Sequence, residues 1–272
     1  MNANNILIEM MAVTDTLPSL FVSHGAPNLP LTDCSARTFL SQLGERLPLP
    51  KAILVISPHW MTSVPTLGTA GQMRAIYDFR GFERSLYQLQ YNPPGFSDEL
   101  AQTVLNRLAL AEFPTAIDSD RGLDHGAWVP LSLVFPQANI PVMPLSLPAH
   151  WSPAQLVRLG EALSGLRKEG VLIVASGSAT HNLGSLGGRA VYAETPDWVS
   201  GFEAWLVETL EQGNWDGLLD YENAPNAKEN HPTTEHLLPL FVAVGASVRK
   251  TGKTLHRSYT YGVISMASFS FS

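Results

Sequence analysis

Three stretches of the chain carry apolar residues without the polar alternation of a half-exposed strand. They are Leu17–Val22, Ala52–Ile56 and Gly170–Ser176, and the last two are rich in β-branched side chains. Gapless apolar runs of this length read as strands buried on both faces, as in the middle of a parallel sheet. Each run is followed by small or turn-forming residues and then a histidine: His24 after Ser23, His59 after Ser57-Pro58, and His181 after Gly177-Ser178-Ala179-Thr180. Ser57-Pro58 is expected to end the second strand, because proline has no amide proton for a ladder and restricts the residue before it. Open α/β sheets place their ligand crevices at the carboxyl ends of their strands. A titratable side chain is thus delivered to that edge three times.

Between the strands the period turns helical. Asp33–Leu47 sets Phe39, Leu40 and Leu43 behind a cap at Thr32 or Asp33, and Asp98–Leu110 is amphipathic. Pro153–Lys168 opens on a Ser152 cap with proline at its first position and closes at Gly170. Asp197–Glu211 gathers Trp198, Phe202, Trp205 and Leu206 on one face, which makes its tryptophans core residues rather than a stacking platform. A helix is also expected over Pro232–Val244, opening at Thr233 or Thr234 with Glu235-His236 in its first turn. Weaker patterns suggest strands at Ala116–Ile117 and Pro141–Leu147, a helix start in Val129–Phe135, and a final strand within Ser258–Phe271. Met61–Pro94 has no period and is rich in aromatics, which reads as a functional wall rather than a passive connector. The fold class that follows is α/β: a single domain with a central, mostly parallel sheet flanked by helices.

Composition narrows this further. With 272 residues, 45% hydrophobic and 15% charged, the chain can bury a sizeable core. A formal net charge of −7 argues against nucleic acid or an anionic membrane as partner. No apolar run approaches the roughly 18 residues of a membrane helix, and the N-terminus lacks the basic and apolar regions of a signal peptide. A cytoplasmic protein is expected. Residues 1–15 read as a flexible N-terminal extension and 16–272 as the folded domain. The single cysteine, Cys34, leaves no intramolecular disulfide and reads as a small buried thiol.

Eight histidines remain to be placed. His24, His59, His125 and His181 stand where a strand or loop ends among small residues, and His236 stands at the expected helix start. Taken singly, each reads as a hydrogen-bonded structural residue. Taken together they suit a metal site, because imidazole is a common metal ligand and such sites draw ligands from separate elements. Ser176-Gly177-Ser178 is not a hydrolase nucleophile elbow, and Gly184–Gly188 lacks the lysine of a phosphate loop.

Seven ordered motifs then carry a resemblance. SHGAP at Ser23–Pro27, SPHW at Ser57–Trp60, IYDFRGF at Ile76–Phe82 and YNPPG at Tyr91–Gly95 come first. DHGAW at Asp124–Trp128, SGSATHNL at Ser176–Leu183 and PTTEHLLPL at Pro232–Leu240 follow. Together they resemble the class III extradiol ring-cleavage dioxygenases, in particular the DOPA 4,5-dioxygenase branch, from about Leu17 to the end. The resemblance implies a catalytic domain over 16–272, with one divalent metal at the C-terminal edge of the strands held by His24, His59 and His236. It implies that His181 is a general acid/base and a fourth candidate ligand, and that His125 is a second pocket histidine. His150, His231 and His256 match no functional position. Glu235 offers a carboxylate beside His236, but adjacent helical side chains do not face one way, so Glu235 is expected to serve the helix N-terminus instead.

The expected reaction is opening of a catechol ring with O2 to a muconic semialdehyde. That chemistry needs Fe2+. A three- or four-histidine site also suits Zn2+, which has no redox chemistry, so a zinc-loaded preparation is expected to be inert toward oxygen. A zinc-dependent hydrolase or amidase on the same scaffold is the competing reading. The expected partners are a small catechol and O2, with Tyr77–Tyr91 walling the ring and Arg74, Arg80 or Arg121 meeting a substrate carboxylate. The chain is expected to be a monomer or small homo-oligomer.

Overall fold

The computed structural model describes residues 16–249 and 251–272. The N-terminal extension expected over 1–15 lies outside them. The apolar runs form strands β1 (Ser19–Ser23), β2 (Ala52–Thr62) and β6 (Val171–Gly177). With β3 (Thr66–Gly68), β4 (Ala116–Asp118), β5 (Val142–Pro148), β7 (Gly252–His256) and β10 (Ser268–Phe271), they build an eight-stranded sheet ordered β4-β3-β5-β2-β6-β1-β10-β7. The middle of this sheet, β5-β2-β6-β1, is parallel throughout. β3 and β10 join it antiparallel, so the expected final strand returns at the flank instead of extending the parallel core. A small β8–β9 pair (Tyr259–Thr260 and Ile264–Ser265) precedes β10.

Helices cover both faces, which is why the central strands show no alternation. Ala52, Leu54 and Ile56 enter one core while Ile53 and Val55 enter the other, and β1 and β6 divide in the same way. The first core is closed by α2 (Asp98–Leu110), α4 (Pro153–Leu163), α5 (Asp197–Gln212) and α8 (Pro239–Gly245). The second is closed by α1 (Ser35–Arg46), α3 (His125–Val134) and the aromatic segment before α2. Short helices α6 (Trp215–Leu219) and α7 (Ala227–Asn230) lead into the loop before α8. Ile53, Leu54, Val55 and Ile56 are inaccessible to solvent. Truncating Ile53, Leu54 or Ile56 to alanine would cost on the order of 2–5 kcal/mol.

Two boundaries differ from expectation, and both shape the site. Proline does not end β2. The strand pairs with β5 from Ile53↔Val142 to Ser57↔Ser146 and resumes at Met61↔Leu147. Pro58, His59 and Trp60 have no partners on β5 and form a bulge, a device that re-aims a side chain next to a functional site. The last helix begins at Pro239, not at Thr233 or Thr234. Thr233 and Thr234 are bends and Glu235–Leu238 is turn, and the His236 carbonyl accepts from Ser178 N–H at 2.9 Å rather than from an amide of its own helix. Cys34 is buried and precedes α1, while Trp198 and Trp205 pack against the cores.

Candidate metal centre

β1, β2 and β6 run in parallel, so their carboxyl ends share one edge, and the site forms there. His24 follows β1 directly, and its backbone N–H donates to the Gly177 carbonyl at 2.9 Å, which keeps β1 and β6 joined up to the rim. Its Nδ1 lies 3.0 Å from Ser176 Oγ. The Ser176 hydroxyl donates its proton to the Gly126 carbonyl, so Nδ1–H is the donor to Ser176 and Nε2 carries a bare lone pair. His59 projects from the bulge and brings its Nε2 to 3.3 Å from His24 Nε2. His236 arrives on the loop tied to β6. Its Nδ1 donates to Glu235 Oε1 at 2.9 Å, and its buried Nε2 has no hydrogen-bond partner.

The donor atoms of His24, His59 and His236 lie within 4.8 Å of one another, a set that could hold a metal ion. Two nitrogens bound tetrahedrally to one ion at about 2.0–2.1 Å stand about 3.3 Å apart, which is the His24–His59 separation. The orphaned His236 Nε2 completes the fit. Two further groupings, His59-Asp78-His125 and His181-Glu235-His236, meet the same distance criterion. In both, hydrogen bonds already engage a carboxylate, Asp78 with His125 and Glu235 with His236.

The electrostatics favour neutral donors. Burial, followed by repulsion among the clustered imidazoles, pushes His59 down to about 2 and His24 well below its ordinary value. Burial also lowers His236 despite its carboxylate neighbour. That hydrogen bond is in turn the largest cause holding Glu235 down to about 2. The two shifts together describe an ionised carboxylate accepting from a neutral ring, with Nε2 left as a ligand lone pair.

His125 occupies the first turn of α3, behind the Asp124 N-cap. Asp78 Oδ1 accepts from both the backbone N–H and Nδ1–H of His125, at 3.0 and 2.9 Å. The ring centroid of His125 lies 3.9 Å from that of His59. His181 stacks on His236 with centroids 3.4 Å apart and planes 10° apart, and does not join the His24-His59-His236 group. Burial, then the His236 ring, pushes His181 down to about 3.

Asp78, inside IYDFRGF, is a site residue that the sequence reading does not single out. The available signal was a lone carboxylate between Tyr77 and Phe79 in an aromatic run. Glu235 does not cap a helix; it orients His236. The other histidines have structural settings. His231 Nε2 meets the Ala179 carbonyl at 3.0 Å, His256 stacks on Phe39 and meets Ser258 Oγ at 2.7 Å, and His150 lies in a turn with positive φ.

All five site histidines open into a cavity of about 690 Å3. Phe79 and Phe82 line it, whereas Tyr77 meets Phe79 edge-on, Tyr87 meets it at a tilt, and among the described residues no tyrosine is in the wall. Of the three candidate arginines only Arg80 is in the wall. Arg121 pairs with Asp124 at 3.1 Å and lies over Trp60, and Arg74 lines a separate surface cleft.

The sequence profile of the LigB family, the catalytic LigB subunit of aromatic ring-opening dioxygenase, matches residues 20–271. The chain belongs to this family. The relatives agree: the 4,5-DOPA dioxygenase extradiol of Beta vulgaris is 42% identical, over 93% of this chain and 96% of its own. The protein of the same name from Escherichia coli K12 is 34% identical, over 88% and 89%. The crystal structure of an uncharacterized protein from Escherichia coli K12 superposes with a TM-score of 0.78 at 30% identity, covering 94% of this chain and 100% of that one. The protein is therefore an extradiol aromatic ring-opening dioxygenase, an oxidoreductase of a family that uses a single catalytic metal. These dioxygenase relatives lend no support to the hydrolase reading. Among the described residues, no helix is long and apolar enough to cross a membrane.

Proposed function

We propose that this dioxygenase opens the ring of a DOPA-like catechol beside its hydroxyls, using one Fe2+ held by His24, His59 and His236. The observation that carries the reading is the convergence of three imidazole Nε2 atoms: His24 and His59 stand 3.3 Å apart through theirs, that of His236 is buried without a partner, and other groups engage Nδ1 of His24 and His236. A ferrous ion there would supply Lewis acidity and the redox chemistry that dioxygen needs, whereas Zn2+ would supply only the former.

The chain's own residues divide the remaining work. His125 gives its Nδ1–H to Asp78, which leaves Nε2 as the ring nitrogen to take a phenolic proton, with the Asp78 carboxylate facing the imidazolium that would result. His181, held neutral by burial and by the His236 ring it stacks on, is a second hydrogen-bonding group in the cavity wall. Phe79 and Phe82 offer apolar faces to the ring and exclude water. A cytoplasmic setting suits this reading, since a reducing compartment preserves ferrous iron.

Anaerobic loading with Fe2+, then oxygen and a panel of catechols, tests the proposal. A yellow product with matched oxygen uptake is expected, together with a 10²–10⁴-fold loss of kcat, in order of magnitude, in His125→Ala and His181→Ala. Iron-loaded protein that consumes no oxygen with any catechol, or zinc-loaded protein that hydrolyses an amide or ester under nitrogen, overturns it.

A further inference from the structure

The cavity has an asymmetry of charge that ring cleavage alone does not require. Two formally charged side chains line it, Arg80 and Glu235. Glu235 is committed to His236 and Thr233. The nearby carboxylate of Asp78 is committed twice over to His125. Arg80, by contrast, has no hydrogen-bond or ion-pair partner among the described residues, although the protein carries a formal charge of −7. It is an exposed residue of the wall, followed by Gly81 with a φ of +81°. A guanidinium with five donors and no acceptor is suited to a carboxylate. A cavity of about 690 Å3 has room for more than a bare catechol ring.

We propose that Arg80 is a specificity-determining residue of this pocket, selecting catechols that carry a carboxylate on a side chain and leaving an accompanying amine unread. The assignment rests on the catechol-cleaving function proposed above. Its chemistry is one-sided. The wall offers an unengaged cation for an acid and no unengaged carboxylate for an ammonium. DOPA and its amine-free counterpart 3-(3,4-dihydroxyphenyl)propanoate therefore rank together, while dopamine and 4-methylcatechol rank below them.

The test compares wild type, Arg80→Ala and Arg80→Lys with these four catechols. Binding to the ferrous protein under nitrogen is followed by calorimetry, and turnover in air by absorbance. In wild type the two acids bind more tightly than 4-methylcatechol. In Arg80→Ala that preference, read as the ratio of Kd or KM values, falls by about tenfold, with the loss in KM rather than kcat. Arg80→Lys retains part of it. The assignment is overturned if Arg80→Ala leaves the ratio unchanged, if it weakens all four catechols equally, or if DOPA binds far more tightly than the amine-free acid. If wild type turns over no catechol while the anaerobic preference for acids still depends on Arg80, the selection stands and ring cleavage falls.

Discussion

A histidine becomes a defined ligand or base only when something fixes which nitrogen keeps its proton. Here Ser176 does this for His24, Glu235 for His236 and Asp78 for His125. These partners matter as much as the rings, because a neutral imidazole with a free choice of tautomer offers its lone pair to the ion for only part of the time. Glu235→Ala is therefore expected to weaken metal binding by about 10–100-fold while the fold persists. Glu235→Gln, whose amide oxygen still accepts from Nδ1–H, is expected to retain part of the affinity. Competition against a coloured chelator measures both variants. An unchanged affinity in Glu235→Ala would show that His236 needs no carboxylate to hold its tautomer.

At the scale of elements, the site depends on how closely α3 approaches the bulge of β2. Gly126 lies at that contact: a Cβ there would meet Ser57 Oγ, and would come 2.8 Å from His59 Cδ2 and 3.3 Å from Asp124 Oδ1. Gly126→Ala must push His59 or the first turn of α3 aside. It is expected to cost about 1–3 kcal/mol of stability and to weaken metal binding as well, both read on one sample by thermal melts with and without metal. A variant that binds metal like wild type would mean that the bulge yields without moving His59. The central strands were legible because their apolar runs are short, gapless and closed by turn-forming residues, and two of them are rich in β-branched side chains. β3, of three residues, and β7, a half-exposed GKTLH, lack that signature. Two misreadings share a physical origin. Pro58 is compatible with β2 because the bulge asks it for no ladder bond, and the segment around His236 is not helical because its carbonyl is taken by Ser178, far away in sequence. Propensity rules see neither a bulge nor a long-range acceptor.

Across the whole molecule, the site joins residues as distant as 24 and 236, so no local pattern contains it; ordered motifs made the histidines visible, but not the carboxylates behind them. The same gathering of imidazoles has a consequence for stability. In chelator-treated protein, His24, His59, His181, His231 and His236 are all held below the ordinary value near 6.5, first of all by burial. A base with a depressed folded pKa binds fewer protons in the native state than in the unfolded chain. Stability from these groups is thus complete above about pH 6.5 and is lost as pH falls. His231, at about 4 and lying outside the proposed ligand set, gives the cleanest window. Between pH 6.5 and 4 it alone should remove about 3 kcal/mol. Urea midpoints of the metal-free protein at pH 7, 6 and 5 should therefore fall steeply, with more than one proton taken up on unfolding. His231→Gln, whose amide can still donate to the Ala179 carbonyl, should make the slope shallower by close to one proton. A profile that is flat from pH 7 to 5, or a His231→Gln slope equal to that of wild type, would mean that these rings are not held neutral by the fold.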